Sequence, residues 1–74
     1  MKEIAPRITA DPKVQFGKPV IANTRVPVAT IVGHLAAGDT IVVVIKEYDL
    51  ERDDVLAAFA YAAKVVGDEM IMVK

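Results

Sequence analysis

Seventy-four residues with no cysteine and a single histidine allow one domain. They exclude a disulfide framework, a thiolate metal site and an imidazole cluster within one chain. The net charge of −1 hides an asymmetry, because residues 1–28 carry +3 and residues 29–74 carry −4. A basic front and an acidic back point to two different partner surfaces.

The chain is 54% hydrophobic, with a mean hydropathy of +0.39. A short chain hides little surface in its own core. Part of this apolar surface is therefore expected to be covered by a second chain, which makes a homodimer the expectation. The longest apolar run, Ile41 to Ile45, is far too short to cross a bilayer. The opening Met-Lys-Glu-Ile-Ala-Pro has no apolar signal core. A cytoplasmic protein with no membrane partner is expected.

Arg7 to Ala10 reads as a short strand of β-favouring residues. Asp11-Pro12 opens a turn, since the Asp side chain can bond the backbone beyond it and Pro fixes its own φ. Val14 to Phe16 is expected to extend again before Gly17-Lys18-Pro19 breaks the chain. Val20-Ile21 is expected to pair with the first strand. Ala22-Asn23-Thr24 turns once more, with Asn23 tolerating a left-handed backbone. Residues 6–28 are thus read as an extended β-arm with turns.

Pro27 suits the first turn of a helix, where its missing N–H costs nothing. Val28, Ile31, Val32, Leu35 and Ala36 follow at helical spacing, and Gly38 supplies the stop. The next segment carries a conflict. Ile41-Val42-Val43-Val44-Ile45 is five β-branched residues in a row, a buried strand by pattern alone. It lies between two helical signals with very short connections, and a helix over 40–47 capped by Thr40 is expected.

Leu50 to Val66 is the clearest helix. With Glu51 at the cap position, Leu50 and Val55 form a hydrophobic staple. Asp53 and Asp54 favour the positive end of the helix dipole. Val55, Phe59, Ala62, Ala63 and Val66 are expected to form its apolar face. Residues 28–66 make a three-helix unit, and residues 67–74 an apolar tail. The fold class is mainly α with a short N-terminal β-arm, all in a single domain.

Helices two and three have the outline of a helix-turn-helix, in which the last helix presents its N-terminus to base edges. Here that end is Glu51-Arg52-Asp53-Asp54, and three carboxylates facing phosphates disfavour groove reading. The better nucleic-acid candidates are Arg7, Lys13, Lys18 and Arg25. Each also has a plainer role as a solvated charge or a partner of the acidic half. Arg25, between Asn23-Thr24 and a helix, is expected to anchor its turn to a carboxylate or to carbonyls.

No catalytic constellation competes. Gly17-Lys18 lacks the earlier glycine of a phosphate loop, and Pro19 replaces the magnesium-binding hydroxyl. His34 falls near Thr30 on the less apolar side of its helix. Asp53 and Asp54, being adjacent in a helix, diverge by about 100°. No enzymatic activity, cofactor or metal is expected.

Arg7-Ile8, Asp11-Pro12, Gly17-Lys18-Pro19, Ile21, Thr24-Arg25-Val26-Pro27-Val28, Leu35-Ala36-Ala37-Gly38, Glu47-Tyr48, Leu56-Ala57-Ala58 and Tyr61-Ala62-Ala63 together carry a resemblance. From about Pro6 to Ala63 the chain closely resembles the domain-of-unknown-function 433 family of small prokaryotic proteins. The resemblance implies a homeodomain-like three-helix unit behind an extended segment. It also implies the antitoxin of a toxin–antitoxin pair, facing a toxin of the PIN-like nuclease type.

Three departures from the family pattern stand out. Asn23 replaces a turn glycine, Glu51 replaces a capping Thr or Ser, and Ile41-Val42-Val43 replaces a polar opening of the middle helix. Three apolar groups there cannot all face a small core, so Ile41, Val42 and Val43 are candidates for a protein interface. The tail residues Met70, Ile71, Met72 and Val73 are the other candidates. The leading expectation is a non-enzymatic antitoxin-like protein that binds a toxin. A DNA-binding regulator and a structural dimerisation module are the alternatives.

Overall fold

The computed structural model describes residues 1–72. Three short strands, β1 (Lys2–Ala5), β2 (Ile8–Ala10) and β3 (Val20–Ile21), precede three helices, α1 (Val28–Ala36), α2 (Ile41–Tyr48) and α3 (Arg52–Gly67). The strands form one antiparallel sheet in the order β1-β2-β3. Ile8 lies opposite Ile21 and Thr9 opposite Val20, as the paired β-favouring runs predict. The arm begins earlier than expected, at Lys2 instead of Pro6. Lys-Glu-Ile-Ala has weak strand propensity, and it is extended because β2 offers it a ladder, with Lys2 opposite Ala10.

The connection from β2 to β3 corrects a second expectation. Asp11 makes the anticipated turn, its Oδ1 accepting from the Lys13 N–H at 2.9 Å. Val14 is extended and bridges Asp11, but Gln15 and Phe16 do not extend. Gln15, Phe16 and Gly17 have φ of 50°, 59° and 84°, forming a single left-handed turn. It is closed by Gly17 N–H to the Val14 carbonyl and Lys18 N–H to the Gln15 carbonyl, both at 3.1 Å. Left-handed backbone costs about 1–2 kcal/mol at each non-glycine residue, so local propensity argues against this turn.

From Pro19 the chain folds onto itself and feeds straight into α1. The Ile21 N–H donates to the Val26 carbonyl and the Val28 N–H to the Pro19 carbonyl, each at 3.0 Å. Asn23 has the expected left-handed φ of 64°. Thr24 holds the turn: its Oγ1 donates to the Ile21 carbonyl at 2.7 Å and accepts from the Val26 N–H at 3.0 Å. Pro27 is the N-cap, with an extended ψ of 144°, one residue before the helical turn in which it was expected.

α1 ends where Gly38 predicts. Gly38 has φ +100°, the Asp39 N–H reaches the His34 carbonyl at 3.0 Å, and the Gly38 N–H reaches Leu35 at 3.1 Å. This pairing is a Schellman motif. α2 is a helix despite its β-branched run. Thr40 caps it by accepting from the Val43 N–H at 3.2 Å. Ile41, Val44, Ile45 and Tyr48 then share one face, and Val44 is fully buried.

α3 starts at the expected cap. The Asp54 carboxylate accepts from the Glu51 N–H at 2.9 Å, the return bond of a capping box. Leu50 and Val55 both lie in the core, as the staple requires. The buried stripe of α3 runs through Val55 and Ala58, with Phe59 and Ala62 half-buried. Ala63 and Val66, expected on that face, are exposed. α3 packs against α1, α2 and β2, but these neighbours leave residues 63–67 uncovered.

One core joins the layers: Ile8 and Ile21 from the sheet, Val28 and Ile31 from α1, Val44 from α2, Leu50 from the second helix connection, and Val55 and Ala58 from α3. Each large apolar side chain so buried contributes about 1.5–3 kcal/mol before entropy. Arg7 ties the arm to the far helix. It lies between β1 and β2 with φ 63°, and its carbonyl accepts from the Ala22 N–H at 2.8 Å. Its guanidinium donates to Asp54 at 2.9 Å and lies 3.8 Å from Asp53. The hydrogen bond to Asp54 raises the guanidinium pKa above its ordinary value, against partial desolvation. Folding therefore favours the ionised form, and while the carboxylates are charged this contribution is present below the ordinary guanidinium pKa and is lost as the pH rises through the raised one.

Two measurements check this account. Gly38→Ala forces a Cβ into φ +100° and is expected to lower stability by about 1–2 kcal/mol in a denaturant titration. Arg7→Ala is expected to lower the melting temperature more at low salt than at high salt, because a partly exposed pair is screened. Arg7→Lys is expected to recover only part of the loss, having no fork to reach two carboxylates.

Candidate functional site

An apolar concavity lies between α1 and α3. Pro19 from the arm, Val28 and Val32 from α1, and Tyr61, Val65 and Val66 from α3 line an almost wholly apolar groove of about 300 Å³. It exists because α3 continues past its core contacts, so Val65 and Val66 project with no neighbour to cover them. Val66 is 66% exposed. On the other side of Tyr61, Ala5, Pro6, Ala57, Ala60 and Lys64 line a second depression of about 190 Å³. Met70, Ile71 and Met72 follow α3 and are exposed. Val73, expected to share their role, lies outside the described residues.

The opening of α2 divides as its crowding predicts. Ile41 is half-buried against the core and gives little outer surface, whereas Val42 is 60% exposed and Val43 45%. Of the three residues expected at an interface, two are exposed. A helix can turn only the i, i+3, i+4 set toward a single core.

The expected cations separate in the same way. Arg7 is occupied by Asp54 and Asp53, which removes it from the set available to phosphates. Lys13, Lys18 and Arg25 are exposed, and among the described residues none of them pairs with a carboxylate. The Arg25 side chain does not anchor its turn; Thr24 does that, and the Arg25 carbonyl instead accepts from Gln15 Nε2 at 3.2 Å. That bond straps the β2–β3 connection to the 22–25 turn.

Sequence reasoning missed Phe16. Its ring is 95% exposed on the left-handed turn, between Lys13 and Lys18. The available signal was an aromatic among turn residues, which was absorbed into an expected extended piece.

His34 also has a definite place. Nδ1 lies 2.7 Å from Asp39 Oδ2 and Nε2 lies 2.6 Å from the Tyr48 hydroxyl. A neutral ring protonated at Nδ1 satisfies both contacts, donating to Asp39 and accepting from Tyr48. The two rings meet edge to face, 5.4 Å apart. The histidine thereby joins the end of α1 to the last turn of α2. A shallow depression of Thr30, Gly33 and Ala37 lies beside it. Among the described residues no three His, Cys, Asp or Glu side chains gather as metal ligands, and no helix is long and apolar enough to cross a membrane.

Residues 8–62 match the family described as protein of unknown function (DUF433). No curated protein matches the chain. Among solved structures, the crystal structure of Rv2018 from Mycobacterium tuberculosis is similar, with a TM-score of 0.64 and 33% identity over 70% of this chain. The chain spans 24% of the length of that protein. The matched span runs from β2 through the core-facing part of α3, so β2, β3, the Schellman turn and the capped start of the third helix fall within it, while β1 precedes it. The chain belongs to the DUF433 family of proteins of unknown function.

Proposed function

We propose that this chain is a non-enzymatic, antitoxin-like protein that acts by covering a nuclease-type toxin. The observation that carries the reading is the apolar groove between α1 and α3, continued by the exposed Met70, Ile71 and Met72. A groove of this kind suits an amphipathic helix or an extended apolar segment of a partner, with Tyr61 as its aromatic anchor. The acidic balance of residues 29–74 favours a basic partner face, as a nuclease active-site rim would present.

A homodimer belongs to the same reading. It would join through the edge strand β1 and the Val42–Val43 surface, leaving the α1–α3 groove to the toxin. The three helices are read as a homeodomain-like unit. Asp53 and Asp54 at the start of α3 disfavour its use as a groove reader.

The test is co-purification from the native host, followed by expression of the captured protein with and without this chain. A stoichiometric nuclease-type partner is expected, lethal alone and harmless in company. Val66→Asp is expected to keep the melting temperature, because Val66 is exposed, and to weaken capture by at least tenfold, about 1.4 kcal/mol. A preparation containing only this chain, or a partner whose toxicity it does not suppress, overturns the reading.

A further inference from the structure

Phe16 has no role in the core. Its ring is 95% exposed, and its backbone is held in the left-handed region with Gln15 and Gly17 beside it. A bulky residue in that region is an outlier, and such strain concentrates at binding sites. The turn is nevertheless firmly built. Four bonds of 2.9–3.1 Å close it, from the N–H groups of Lys13, Val14, Gly17 and Lys18, and Gln15 Nε2 fastens it to the Arg25 carbonyl at 3.2 Å.

That strap brings a third cation to the same end of the molecule. Residues 11–25 hold Lys13, Lys18 and Arg25 against a single carboxylate, Asp11, one of whose oxygens accepts from the Lys13 backbone. A rigid tip that displays one bare aromatic ring among three exposed cations has the composition of a nucleic-acid contact. Rings stack on bases or wedge between them, while Lys and Arg neutralise phosphates.

We infer that the tip of the β2–β3 connection binds nucleic acid, with the Phe16 ring against a base and Lys13, Lys18 and Arg25 on the flanking phosphates. A protein partner fits the tip less well. A protein hot spot needs a surrounding ring of contacts that excludes water. Phe16 is bare, and Lys13, Gln15 and Lys18 are close to it in the chain. The proposal uses side chains outside the α1–α3 groove and stands whether or not a toxin binds there.

The test is fluorescence anisotropy with a labelled mixed-sequence single-stranded DNA of about 20 nucleotides, its duplex, and poly-glutamate as a second polyanion, at low and moderate salt. Salt-weakened binding to DNA is expected. Lys18→Ala with Arg25→Ala should flatten the salt dependence by a slope of about 1.4–1.8. Phe16→Asn should weaken binding about tenfold or more, the scale of one stacked base, with little change in slope. Asn tolerates the left-handed backbone, so this variant should keep or raise the melting temperature, which separates binding from folding. Phe16→Trp should retain affinity. Tighter binding to the single strand identifies stacking on an unpaired base, and tighter binding to the duplex identifies insertion at a base step. No salt-dependent DNA binding, a Phe16→Asn variant that binds like the parent, or equal affinity for poly-glutamate overturns the proposal.

Discussion

Ile21 is the residue on which the fold depends. Its side chain is fully buried at the centre of the core, and its backbone joins three pieces of the chain at once. It pairs with Ile8 in the sheet, donates to Val26, and through its carbonyl receives both the N–H and the hydroxyl of Thr24. These bonds turn a strand of two residues into a hinge that sets the entry angle of α1. A core this small has no redundancy, so a single buried isoleucine with a fully satisfied backbone determines where both layers meet.

The second constraint is the length of α3. Sixteen residues are more than two shorter helices and a three-stranded sheet can cover. The excess creates the uncovered apolar end from which the groove and the tail follow. Function is read on the parts the core does not use: Val65 and Val66 at the end of α3, Val42 and Val43 outside α2, and Phe16 on the arm. These side chains leave from nearly half to almost all of their surface outside the core.

Charge is distributed on the same principle. The basic front and acidic back imply an outward dipole, but Arg7 turns inward to Asp54 and Asp53 and joins the two halves. What remains outside is a smaller, sharper set of cations at the arm tip and an acidic helical face. His34 shows the same economy: a polar side chain on the less apolar side of α1 links two helices through Asp39 and Tyr48.

Much of this was legible in the amino-acid order, wherever a local rule forced one outcome. Gly38, Asn23, Thr40 and the Glu51–Asp54 pair occupy the conformations or caps that their chemistry favours, and apolar spacing located α1 and α3. The β-branched run at 41–45 folded as a helix because short connections and a core on one side outweighed propensity. The rest required the tertiary structure, for one physical reason: it depends on what a distant segment offers. Lys2–Ala5 became a strand because β2 presented a free edge. Arg7 is paired because Asp54, 47 residues away, came within 2.9 Å. Ala63 and Val66 stayed exposed because α1 and α2 end too soon to cover them. Phe16 turned outward because its turn is held by bonds that no local preference would have predicted.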